Sequence, residues 1–196
     1  NLSEADLSDC EFEQNSLIDV NFTSANLSQT EFHTKVIFTG VNFKRANLSG
    51  ANFKDQDLSL TDFRGAFLFR TNFKGANLSG ANFSNLNLTD VYLRDANLSN
   101  ASLQNISFKG ASIVNVDFTN ANLGNGNFSE AIIAKSNFSK ADLSMTNFSK
   151  ALLYEVNFND SNLSGANFYN TNIKQINNAI LCGTKTRLGI INTGCK

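Results

Sequence analysis

Residues 41–85 read VNFKR-ANLSG-ANFKD-QDLSL-TDFRG-AFLFR-TNFKG-ANLSG-ANFSN. The third letter of every five is Phe or Leu. Followed outward in both directions, the beat runs from Leu2 to Ile173 and gives 35 centres, filled by 16 Phe, 16 Leu and 3 Ile. Two residues before a centre stands a small residue, Ala at 15 of 34 positions. The residue between is usually Asn or Asp, and two polar residues follow the centre, as in Ala46-Asn47-Leu48-Ser49-Gly50 and Ala76-Asn77-Leu78-Ser79-Gly80. Each unit therefore points inward, outward and inward again before it turns. Alternation is the mark of a strand. Three residues between bends are too few for an ordinary sheet, and no helical period is sustained across the repeats.

A repeat this short implies a solenoid whose coils stack and satisfy one another's backbone N–H and C=O groups. Proline would remove a donor from that ladder. The 196-residue chain contains none.

The pattern resembles the pentapeptide-repeat family, over residues 1 to about 175. The resemblance implies an all-β fold, a right-handed quadrilateral β-helix in which four units make a square coil of roughly 20 residues. It implies eight to nine coils here and a rod roughly 40 Å long. With four units per coil, the centres sort into columns. From Phe43 to Phe83 Phe and Leu alternate, which puts Phe on one pair of opposite faces. Leu88, Leu93, Leu98 and Leu103 interrupt the alternation, and from Phe108 to Phe168 the Phe return on the other pair. Constant cross-section with rings stacked along columns explains the pattern, and the all-Leu coil is a seam between two stacking phases. The register breaks once. Phe32 and Phe38 are six residues apart, through His33-Thr34-Lys35-Val36-Ile37, so one residue bulges at that corner.

Past the repeats, Cys182 and Cys195 bracket an irregular segment with Gly183, Gly189 and Gly194. Two Cys enclosing a short terminal segment suggest a disulfide worth about 3 kcal/mol. A metal site there lacks a further Cys pair or a nearby His. Cys10 falls on an inward small-residue position and reads as a free structural thiol. The tail is similar to the Cys-containing caps of plant and cyanobacterial pentapeptide-repeat proteins, including those of the thylakoid lumen. A disulfide points to an oxidising compartment, the thylakoid lumen of a chloroplast or cyanobacterium or a periplasm, with the cytoplasm as the alternative. An open solenoid end must be covered. The spacing of Ile176, Ala179, Ile180 and Leu181 predicts a short helical cap. The expected division is a β-helix over 1–174 and a cap over 175–196.

Charged residues make up 17% of the chain and its net charge is -1. That is neither a nucleic-acid binder's basic balance nor the acidic surface of a DNA mimic. No stretch has the length of a membrane span, and no signal or transit pattern precedes Leu2. Charge is polarised, however. Glu4, Asp6, Asp9, Glu11, Glu13, Asp19 and Glu31 fall among the first 32 residues with no Lys or Arg, whereas Lys44, Arg45, Lys54, Arg64, Arg70, Lys74 and Arg94 follow.

No catalytic set emerges. The lone His33 has no partner nucleophile or carboxylate by spacing. Glycines such as Gly50, Gly75, Gly80, Gly110 and Gly165 occupy corners and form no phosphate loop. Sequons such as Asn26-Leu27-Ser28 and Asn137-Phe138-Ser139 follow from the repeat, and their Asn serve the corners. The informative outward positions are those that break the rule. Tyr92, Ser112, Ile132 and Leu152 share a column, with Arg94, Val114, Ala134 and Tyr154 beside them. A contiguous exposed apolar strip marks a contact surface; Tyr92, Val114, Ile132, Ala134, Leu152 and Tyr154 are the candidate partner-binding patch. Phe67, Phe69 and Tyr169 lie on a neighbouring face without adjoining one another. Thr39, Ser59, Ser79, Ser99, Thr119 and Ser139 form a hydroxyl column of the ordinary repeat type.

The reading is a non-enzymatic structural or interaction scaffold, monomer or weak dimer, with a protein partner, no cofactor, no metal and no nucleic acid. The resemblance supplies an alternative, inhibition or protection of a DNA topoisomerase by DNA mimicry. The near-neutral charge and basic middle oppose it.

Overall fold

The computed structural model describes residues 1–33, 36–173, 176 and 178–195. It is all-β, a β-helix with no helix among the described residues. None there is long and apolar enough to cross a membrane.

One unit shows how the coil is held. In Ala46-Asn47-Leu48-Ser49-Gly50 all five N–H groups find acceptors. Ala46 donates to Phe43 across the corner (3.1 Å), Asn47 to Ala25 in the previous coil (2.9 Å), and Leu48 and Gly50 to Phe67 and Phe69 in the next (2.8 Å each). The remaining donor, Ser49 N–H, binds the Asn47 side-chain oxygen (3.2 Å). The Asn of the repeat is therefore part of the backbone accounting, which leaves no position free for Pro. The corner residue itself takes a left-handed conformation, φ 72° at Gly50, as the second corner of a type II turn requires.

Parallel bridges repeat at intervals of 20 residues, as in Asn52 with Asn72. Around the predicted bulge the interval is 21, as in Asn26 with Asn47 and Glu31 with Asn52, and from Asn42 with Asp62 it is again 20. The extra residue is thus absorbed within a single side of a single coil. Thr34 and Lys35 themselves lie outside the described residues.

The core is a stack of rings. Phe22, Phe43, Phe63 and Phe83 stack at centroid distances of 5.3, 5.5 and 4.6 Å. Phe12, Phe32, Phe53 and Phe73 form a second column at 5.1, 4.5 and 5.3 Å. Neighbouring columns meet edge to face, as Phe63 and Phe73 do at 78°. Beyond the seam, Phe108, Phe128, Phe148 and Phe168 stack at 5.0, 4.9 and 4.8 Å, and Phe118, Phe138 and Phe158 at 4.6 and 5.4 Å. Leu88, Leu93, Leu98 and Leu103 are all buried between the two phases. Phe38 departs from the alternation, and its ring lies edge-on to Phe32 and Phe53 at 5.1 and 5.8 Å. The coil that carries the extra residue thereby carries an extra ring.

Most units pair through single outward residues. Short strands form on one side only: β1 (Glu11–Phe12) with β2 (Glu31–Phe32), and β3 (Ser112–Val114) with β4 (Ile132–Ala134) and β5 (Leu152–Tyr154), all parallel. Ser112, Ile132 and Leu152 replace the Asn whose carboxamide would otherwise bind the N–H two residues on. The backbone there runs extended through three residues.

The predicted helical cap is corrected by the structure. The chain ends in an antiparallel hairpin of β6 (Leu181–Thr186) and β7 (Gly189–Thr193). The coil below it presents Leu163, Gly165 and Phe168 N–H groups, and these donate to Ile180, Cys182 and Lys185 carbonyls at 2.8, 2.8 and 2.7 Å. Acceptors in that register come from an extended chain; a helix spends its carbonyls internally. Thr184 is buried, its hydroxyl donating to the Leu163 carbonyl at 2.8 Å. Of the residues expected to form the helix, Ile176 and Ala179 pack against the core and Ile180 bridges to Asn162.

Truncating a ring inside a column leaves a cavity that its stacked neighbours cannot close. Phe138→Ala is expected to cost about 3–5 kcal/mol in equilibrium denaturation. Leu98→Phe, which inserts a ring into the seam, is expected to cost about 1–3 kcal/mol. A loss below about 1 kcal/mol for Phe138→Ala would contradict the stacked core.

Candidate interaction surface

The side that carries β1 to β5 is unlike the other three. Its outward ladder runs Glu11, Glu31, Asn52, Asn72 and Tyr92 in continuous register. Asp95 N–H donates to the Val114 carbonyl (3.2 Å), and Ser112, Ile132 and Leu152 continue the column. Beside them, after each centre, stand Glu13, His33, Lys54, Lys74, Arg94, Val114, Ala134 and Tyr154. One flat side is therefore acidic in its first part, basic in its middle and apolar in its last. The two sequence anomalies, the bulge after Phe32 and the apolar strip, both belong to it.

The residues of the candidate strip lie together on this side. Tyr92 is 55% exposed, Ile132 46%, Leu152 42% and Tyr154 50%, with Val114 and Ala134 partly exposed between them. Asn172 closes its far end. Its amide nitrogen donates to the Leu153 carbonyl (2.9 Å) and its oxygen accepts from Leu153 N–H (2.6 Å), so a side chain stands in for the next coil's backbone. Phe67, Phe69 and Tyr169 are exposed on a neighbouring face and remain apart from this strip.

The bulge has a support that sequence reasoning missed. Gln56 occupies an inward position given mostly to small residues, and it is buried. Its amide donates to the Phe32 and His33 carbonyls at 3.2 Å each, satisfying groups next to the register break. The signal was present in the sequence as a polar exception among Ala, Val and Thr.

Charges on the rod are mostly at the surface, where ion pairs contribute little. Lys54 and Arg94 each lie near the Asp that follows, at 3.8 and 3.9 Å. One cluster on the opposite side is tighter. Asp62 receives three bonds from the Arg64 guanidinium (2.7 and 3.1 Å to one oxygen, 3.0 Å to the other) and lies 3.1 Å from the Lys44 ammonium. Partial burial opposes the Asp62 charge, but bonds from Arg64 and then Lys44 outweigh it and hold the carboxyl below its ordinary value.

At the far end, Cys182 and Cys195 form a disulfide, with Cα atoms 4.9 Å apart, that ties β6 to the residues after β7. Cys10 is a free thiol, half-buried.

Comparison with known families places the repeats. The model of the pentapeptide repeat region matches residues 36–117 and 111–177, and that of pentapeptide repeats in eight copies matches residues 1–33. The chain is a pentapeptide-repeat protein. Several solved structures are similar to it over most of its length or part of it. HetL, involved in heterocyst differentiation regulation in the cyanobacterium Nostoc sp. strain PCC 7120, is 24% identical, with 98% of this chain and 93% of HetL covered and a TM-score of 0.41. QnrB1, a plasmid-mediated fluoroquinolone resistance protein, is 23% identical, covering 97% and 88%, with a TM-score of 0.36. A pentapeptide repeat protein of the Arabidopsis thaliana thylakoid lumen is 27% identical over 66% of this chain and 69% of its own, with a TM-score of 0.21. No curated protein matches the chain.

Two measurements check the charges and the cap of this pentapeptide-repeat rod. A carboxyl depressed in the folded state stabilises above its unfolded value, and that contribution is lost as pH falls through the folded one. Asp62→Asn is therefore expected to be less stable than wild type near neutrality, and urea midpoints should converge as pH drops below the ordinary carboxylate range. In denaturant without reductant, Cys10 is expected to be the single reactive thiol. Reduction should bring the count to the 3 cysteines of the chain. A count of three before reduction would exclude the disulfide.

Proposed function

We propose that the protein is a non-enzymatic scaffold, a right-handed rod of about eight to nine coils over 1–174 capped by 175–196. It holds a protein partner along the side that carries Tyr92, Val114, Ile132, Ala134, Leu152 and Tyr154. The observation that supports this reading most is the gathering of exceptions. Asn or Asp is the ordinary outward residue of the repeat, because its side chain closes the backbone accounting. On this side four coils in succession give it up, and two of them place Ile132 and Leu152 in solvent. Large exposed apolar residues in contiguous array are characteristic of contact surfaces. The graded charge before the strip gives the partner an orientation. The disulfide fits residence in an oxidising compartment such as a thylakoid lumen or a periplasm.

The reading is tested by affinity capture from the native source with three forms of the chain. Wild type and Phe67→Lys, altered on the neighbouring side, are expected to retain the partner. Ile132→Lys combined with Leu152→Lys is expected to lose it while melting as wild type does. Equal capture by all three would reject the face. Strong inhibition of a type II topoisomerase supercoiling reaction by the wild-type chain would reject the scaffold reading as a whole.

A further inference from the structure

At the acidic end of the same side, Glu11 and Glu13 flank Phe12 on one coil, and His33 follows Phe32 on the next. The register of β1 with β2 sets Glu11 against Glu31 and Phe12 against Phe32, which brings position 33 beside position 13. His33 N–H donates to the Phe12 carbonyl (3.0 Å), fixing the backbone from which the imidazole projects. One ligand atom from each of Glu11, Glu13 and His33 lies within 4.8 Å of the other two.

One separation within this group is close to that of ligands around an ion. His33 Nε2 stands 3.6 Å from Glu11 Oε2. That exceeds a hydrogen bond, which spans about 2.7–3.2 Å. It matches two donors sharing a metal at about 2.1 Å from each, whose mutual separation is about 3.4 Å in a tetrahedron.

A separate observation calls for a cation at this place. At five other register pairs an acidic outward residue is met by an Asn from the next coil. Asp6 accepts from Asn26 (3.0 Å), Asp57 from Asn77 (3.0 Å), Asp117 from Asn137 (3.3 Å), Asp142 from Asn162 (3.0 Å) and Glu31 from Asn52 (2.7 Å). Among the described register pairs, Glu11 with Glu31 is the one that sets carboxylate against carboxylate. Like charges directly opposite in neighbouring strands are destabilising. The first 32 residues contain no Lys or Arg to offset them.

We propose that Glu11, Glu13 and His33 form a surface site for a first-row divalent cation of the Zn2+ kind. An imidazole nitrogen with two carboxylates suits such an ion. Ca2+, which takes six to eight oxygens, is poorly served. A bound ion would join two successive coils through their side chains where the ladder is otherwise strained by like charge.

Titration of the chelator-stripped full chain with ZnCl2 by calorimetry tests the site. The expected result is one saturable site, weakened about tenfold or more by His33→Ala and again by Glu13→Gln. Glu11→Gln is expected to act with opposite signs, raising the melting temperature of the metal-free chain and lowering its affinity for Zn2+. A carboxylate with a purely structural role would not separate the two readouts. Cys10→Ser is expected to bind as wild type. No saturable binding, binding indifferent to His33→Ala and Glu13→Gln, equal competition by CaCl2, or loss of the site in Cys10→Ser would each overturn the proposal.

Discussion

Every backbone N–H in a pentapeptide must find an acceptor in its own corner, in its own side chain, or in the coil above or below. In the unit from Ala46 to Gly50 the five donors meet this demand in three ways: ladder bonds, a turn bond, and an Asn carboxamide. Burial of unpaired backbone groups is too costly to permit exceptions at scale. The absence of Pro, the outward Asn, the left-handed corner residue and the extended rather than helical cap all follow from the same demand. The stacked Phe columns then supply the apolar burial, but they do so at positions that the ladder has already fixed.

The demand also explains what could be read from the sequence. The beat identified the inward residues, and the shift of Phe from one pair of columns to the other located the seam at Leu88 to Leu103. Column arithmetic placed Tyr92, Ile132 and Leu152 together before any coordinates. The cap was misread because Ile176, Ala179, Ile180 and Leu181 satisfy a helical spacing as local sequence. Their conformation instead follows from the N–H groups of Leu163, Gly165 and Phe168, which take their acceptors from this segment and which no local pattern reveals. Gln56 and the opposition of Glu11 to Glu31 were hidden for a related reason. The Glu11 and Glu31 pair becomes visible only when positions 20 apart are compared, and the role of Gln56 only when its column is followed back across the six-residue step.

The same constraint limits where function can be encoded. Inward positions are committed to packing and corners to the turn, so variation is confined to the outward residue and the residue after the centre. At Ser112, Ile132 and Leu152 the side-chain acceptor is gone and three strands register over three residues each. Loss of that acceptor is not sufficient, since Phe67, Tyr92, Ser102 and Ser107 also lack it and pair through single bridges. Apolar side chains and extended backbone coincide on this side at Ile132 and Leu152.

The order of chemistries along this side has a further consequence for recognition. Exposed charges contribute modestly to affinity but govern orientation and rate of encounter. On the proposed reading, the acidic part at Glu11, Glu13 and Glu31 and the basic part at Lys54, Lys74 and Arg94 would set the direction in which a partner approaches. The strip from Tyr92 to Tyr154 would supply the area that holds it. Because the coils repeat at the strand spacing of about 4.8 Å, a slip by one coil leaves most of an apolar contact in place but brings charges out of register. The two kinds of surface are complementary for that reason: apolar area alone would bind without a defined position, and the charges beside it make the position definite.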